Sequence, residues 1–97
     1  MKAITLTDVI NKECKDPEFV QHFQRELLIN EIVKMVIQLR QQAKLTQQEL
    51  AKKAGTTQPV IARLESGSDN RIPSLELLAR LAAAANIKLK IVLDSKL

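Results

Sequence analysis

A chain of 97 residues has room for one small domain with a single modest core. Hydrophobic residues make up 45% of it but aromatics only 2%, a composition that argues against a β-sandwich and suits packed helices. The net charge of +4 is uneven: residues 1–30 carry four basic and five acidic side chains, residues 31–97 eleven and six. A basic C-terminal two-thirds fits a nucleic-acid partner, and the near-neutral head fits a different one.

In chain order, Thr5 and Asp8 form a capping box flanked by Ile4 and Val9, which predicts a helix over about 6–15. Cys14 is the one cysteine, so no internal disulfide framework exists, and the thiol reads as a small hydrophobe. With neither a signal peptide nor a long apolar segment, the expectation is a cytoplasmic protein with no membrane association. Asp16-Pro17-Glu18 opens the next helix as N-cap, first-turn proline and dipole-compatible acid. Phe19, Phe23 and Leu27 follow at spacing four. A second stripe, Ile29, Ile32, Val36, Leu39 and Ala43, alternates three and four. Both stripes fit one helix of about 27 residues, but the usual length of about 10–14 favours two, 17–28 and 31–43, with Asn30-Glu31 as the break.

Residues 45–67, LTQQELAKKAGTTQPVIARLESG, are the most informative stretch. Thr46 and Glu49 make a capping box, and Leu45 and Leu50 its hydrophobic staple. Gly55 can take the left-handed angles that end a helix. Thr57 is placed to cap a second helix, with Pro59 in its first turn. Ile61 and Leu64 turn inward against Leu50 and Ala54, while Gln58 and Arg63 point outward. This is a helix-turn-helix, which delivers one helix into the major groove of DNA. Glutamine can pair bidentately with adenine and arginine with guanine, each contact discriminating by about 1–3 kcal/mol. Gln47, at a helix N-terminus, is placed to meet a phosphate. Thr56, Thr57 and Ser66 can donate to neighbouring phosphates. Arg40, Lys44, Lys52, Lys53 and Arg71 are candidates for sequence-independent attraction to the duplex.

Beyond a turn-rich SGSDNRIP loop, Ser74 caps a helix to about Ala85, with Leu75, Leu78, Leu81 and Ala82 toward the core and Asn86 as its stop. In IKLKIVL the period changes to two: Ile87, Leu89, Ile91 and Leu93 share one face, the pattern of a short strand. A lone strand has no partner for its backbone groups. It is either a frayed tail or one half of a ribbon with a second copy. The second alternative makes a homodimer whose recognition helices stand about 34 Å apart, matching a palindromic operator in double-stranded DNA. The single histidine, His22, falls on a polar helix face, and no cysteine–histidine pair, paired carboxylates or phosphate-cradling glycine loop is present. The expectation is therefore a non-enzyme with neither cofactor nor metal.

LTQQELAKKAGTTQPVIARLESG resembles the helix-turn-helix of the lambda-repressor-like (Xre, Cro) family, and RIPSLELLARLAAAANIKLKIVL its next helix. The resemblance implies an all-α, lambda-repressor-like bundle, with Gln47 as a phosphate-positioning residue and Gln58 and Arg63 as base readers. Val60 is placed to touch a thymine methyl; Pro59 departs from the polar residue common at its place. A bundle of this kind needs about 55–65 residues, so residues 1–30 are an N-terminal extension to the domain at 31–86, and 87–97 a dimerisation element. From the residues alone the extension either enlarges the core or presents Phe19, Phe23, Leu27 and Leu28 to another protein. The order of a short helix, DPEFVQHFQREL, a helix-turn-helix and a terminal strand is similar to the HigA-type antitoxins. That similarity implies two partners: a RelE/HigB-like mRNA-cleaving toxin at the first thirty residues, and the operator of its own operon at the motif. The rival expectation is a stand-alone repressor without a toxin.

Overall fold

A computed structural model of the chain describes residues 16–68 and 71–94. The helix expected over 6–15, its capping box and Cys14 lie outside the described residues. Among the described residues four helices follow one another: α1 (Pro17–Gln42), α2 (Gln47–Ala54), α3 (Gln58–Ser66) and α4 (Leu75–Ala84). The helical fold agrees with the all-α expectation.

Residues 17–42 form one helix, not two. Asp16 caps it by accepting from the Glu18 amide at 3.0 Å, Pro17 occupies its first turn, and the backbone continues through Asn30-Glu31 without a break. An Asn-Glu pair caps only where the preceding backbone leaves the helix, and nothing here forces it out. The boundary drawn at residue 30 thus falls inside a continuous rod. Burial still changes there: residues 17–28 include no buried side chain, whereas Ile29, Ile32, Val36 and Leu39 are all buried. The second apolar stripe is the core face, as its spacing predicts.

The first helix ends at a residue in the left-handed region, Lys44 (φ 57°). The Leu45 amide returns to the Arg40 carbonyl and the Lys44 amide to Gln41, both at 3.1 Å, satisfying carbonyls the last turn leaves open. Asn86 (φ 60°) ends α4 in the same manner, with Ile87 N–H donating to Ala82 at 2.8 Å. Gly55 (φ 71°) does so for α2. Gly67 (φ 69°) closes α3 likewise, so the sharp turns at the ends of the four helices come from one local device used four times.

The core lies where α1, α2, α3 and α4 meet. Val36, Leu50, Ile61 and Leu81, one from each helix, are its fully enclosed side chains. Burying each contributes about 1.5–3 kcal/mol. Ala51 and Ala54 are buried where α2 passes close to its neighbours. One expected core residue is displaced: Leu75 is exposed, because at the first position of α4 it lies a turn beyond the bundle, and Leu78, Leu81 and Ala82 carry the packing.

The strand expected over 87–93 is not formed among the described residues. A β-ladder needs a second strand to accept and donate, and within the described chain none runs alongside. The period of two survives as far as Lys90. Ile87 and Leu89 are half-buried against the core while Lys88 and Lys90 face solvent. Beyond it Ile91 and Leu93 are bare, Leu93 at 96% exposure. Among the described residues no helix is long and apolar enough to cross a membrane.

Candidate nucleic-acid interface

Both helices of the motif are short, so their ends decide whether they form. In α2 the capping box closes as the sequence predicts: Thr46 Oγ1 accepts from the Glu49 amide (3.0 Å), and Glu49 Oε1 accepts from the Thr46 amide (2.9 Å). Hydrogen bonding from Thr46 to the Glu49 carboxyl, from its backbone amide first and its hydroxyl second, holds that carboxyl below its ordinary pKa. The start of α3 is different. Thr57 has the extended backbone of an N-cap but makes no side-chain capping bond. Its hydroxyl oxygen therefore accepts nothing from the helix amides.

The α3 helix turns Ile61 wholly inward and leaves Gln58, Pro59, Arg63 and Ser66 exposed. Gln58 and Arg63 thus lie on open surface, and Val60 is half-buried. Thr56 is half-buried, Thr57 exposed. Lys44, Lys52, Lys53 and Arg71 are exposed around the motif. Ser66 is occupied locally: its hydroxyl donates to the Arg63 carbonyl (3.0 Å), lies 2.8 Å from the Ser68 hydroxyl and accepts from the Ser68 amide. It closes the end of α3.

Arg40, expected as a diffuse positive charge, has a fixed position instead. Its Nε and Nη2 donate to the two oxygens of Glu65 at 2.6 and 3.0 Å, and Nη1 to the Leu45 carbonyl at 3.1 Å. The fork thereby ties the last turn of α1 to the end of α3 and to the turn before α2. The pair is largely enclosed, with side-chain exposures of 20% for Arg40 and 8% for Glu65. The bond to Glu65 raises the Arg40 pKa above its ordinary value, so the charge is permanent.

Glu65 also accepts from Gln47 Nε2 at 3.3 Å, and Gln47 Oε1 accepts from Gln58 Nε2 at 2.8 Å. Arg40, Glu65, Gln47 and Gln58 therefore form one chain of polar contacts across α1, α2 and α3. Of the residues singled out in the sequence, the structure brings Arg40, Gln47 and Gln58 together; Lys44 and Arg71 have no part in this chain. Glu65 was missed. Its signal is spacing: seven residues after Gln58, it returns to the same stripe of α3 after about two turns. Only the packing of three helices gives that spacing a meaning.

The described residues hold no cluster of three or more histidine, cysteine or acidic side chains suited to a metal ion. His22 is exposed on α1.

The sequence matches known proteins in the same region. A family model described as Helix-turn-helix matches residues 36–92, which includes the end of α1, the whole motif and α4. A relative from Haemophilus influenzae (strain ATCC 51907 / DSM 11121 / KW20 / Rd), described as an uncharacterized HTH-type transcriptional regulator, is 38% identical over 81 residues. The match covers 77% of this chain and 81% of that protein. No solved structure matches the chain. The family match spans more than half the sequence and coincides with the capped, tightly turned helix pair, so the chain belongs to the helix-turn-helix family.

Proposed function

We propose that this protein is a sequence-specific DNA-binding transcriptional regulator that inserts α3 into the major groove. The observation that carries the reading is the state of Gln58: exposed at the start of α3, yet held at 2.8 Å by Gln47 from the start of α2. A side chain that is both open to the groove and fixed in direction loses little entropy on contacting a base edge. Arg63, exposed on the same helix, supplies the guanine contact, and Gln58 the adenine contact. Thr56, Thr57, Lys44 and Arg71 supply phosphate contacts and attraction. The relative's description as a transcriptional regulator supports the same assignment.

The test is a gel-shift titration on the upstream promoter. Arg63→Ala or Gln58→Ala weakens operator binding by about 1–3 kcal/mol and relaxes preference at one base pair. Unchanged affinity and preference in both variants would reject the assignment.

A second, finer reading rests on the first half of α1. Phe19 and Phe23 stack with ring centroids 6.0 Å apart, and Phe19 and Leu28 remain 39% and 47% exposed. Such aromatic and aliphatic anchors on a helix suit a groove on another protein. A RelE/HigB-like toxin is the partner proposed, contacting Phe19, Phe23, Leu27 and Leu28, which would make the regulator an antitoxin of the HigA type. Co-expression with the product of the adjacent gene decides this. A stable complex supports the antitoxin, and the absence of any complex leaves the stand-alone repressor. In either case a homodimer joined through Ile87, Leu89, Ile91 and Leu93 would suit a palindromic site.

A further inference from the structure

Gln58 is an amide, and an amide reads adenine only when its oxygen faces N6 and its nitrogen faces N7. Reversed, it sets donor against donor and acceptor against acceptor. A free glutamine on open surface turns over readily, so something must select one sense.

The polar chain behind Gln58 supplies that selection. Glu65, ionised, can only accept. Arg40, whose fork takes both carboxylate oxygens, fixes where that acceptor stands. Gln47 must therefore turn its NH2 group to Glu65, and does so at 3.3 Å. Its oxygen then faces Gln58, which must in turn offer its own NH2 group, at 2.8 Å. One N–H of Gln58 is used inward; its oxygen and its second N–H are left for a base. We infer that Glu65 is a positioning residue for base recognition: through Gln47 it sets the sense of the Gln58 amide, although it is itself mostly enclosed and out of reach of DNA. The inference deepens the groove-entry reading above and rests on it.

The alternative role for Glu65 is structural alone, as partner to Arg40. The two roles separate in base preference. The full-length protein is used to select a site from random duplexes. The base pair whose preference disappears in Gln58→Ala is then varied through all four possibilities. The parent protein prefers adenine there by about tenfold or more. Glu65→Gln, whose amide can accept or donate toward Gln47, lowers that ratio by about fivefold or more. It leaves the guanine preference assigned to Arg63 intact. A folded Glu65→Gln protein with an unaltered ratio at this position overturns the positioning role while leaving α3 as the reading helix. A parent protein with no base preference anywhere removes the underlying reading, and this inference with it.

A measurement on the unmodified protein stands independent of how the variants fold. Through-hydrogen-bond NMR coupling from Gln58 Nε2 to the Gln47 side-chain carbonyl supports the inferred sense. Coupling from Gln47 Nε2 to the Gln58 carbonyl overturns it.

Discussion

Arg40 shows how one side chain can serve geometry and charge at once. Three of its donors are satisfied inside the protein, by two carboxylate oxygens and one carbonyl. Truncating it leaves Glu65, at 8% exposure, with a carboxylate that has lost its counter-charge. Arg40→Ala should therefore lower the unfolding free energy by about 2 kcal/mol, below the 3–5 typical of a fully sealed pair. Urea denaturation at neutral pH measures it; a loss under about 0.5 kcal/mol would reduce the pair to an ordinary surface contact. Sequence alone marked Arg40 as basic and near the motif. It could not mark the partner, because Glu65 lies 25 positions away and the two meet only after α1 packs on α3. Gln58 and Arg63 were legible for the opposite reason. Their direction follows from the period of a single helix.

Caps and turns are the level at which the sequence was most legible, since each is decided within five or six residues. The Thr46–Glu49 box, the left-handed Gly55, the Ser74 cap and the Asn86 stop all stand where local chemistry places them. Thr57 shows the limit: residue type and backbone suit a cap, yet the hydroxyl does not make the bond. For the closed box, Thr46→Ala should cost about 1 kcal/mol of stability at neutral pH. The Glu49 half adds a pH dependence. A carboxyl whose native pKa lies below its unfolded one stabilises the fold above the unfolded value, and that contribution disappears as pH falls through the native value. The stability gap between the parent and Glu49→Gln should thus narrow on acidification across the carboxylate range. A gap independent of pH would mean that the hydrogen bonds to Thr46 do not favour the ionised form. The break expected at Asn30-Glu31 failed at this same level. A length prior is a statistic of other helices, and no residue there destabilises helical backbone.

At the scale of the whole molecule, the described chain ends in a tail that is half committed. Ile87 and Leu89 belong to the core, and with Met35, Leu39 and Ala82 they border an open groove of about 280 Å³. Ile91, Val92 and Leu93 are exposed beyond it. A truncation after Lys90 removes only the exposed part and should leave the fold intact. If these residues join two copies, sedimentation of the truncated protein gives monomer and its affinity for a palindromic operator falls. A dimer that persists assigns the contact elsewhere. The tail's alternation was legible, but its state as a strand was not, because a ladder belongs to two segments and the sequence describes one. The first helix has the converse property of joining what the sequence divided. Phe19 and Arg40 sit on one rod, about 32 Å apart along its axis, with no joint between them. Whatever grips the aromatic end acts on a lever whose other end is bolted, through Glu65, to α3, the helix proposed to enter the groove. A torque applied at Phe19 would be felt as a tilt of α3.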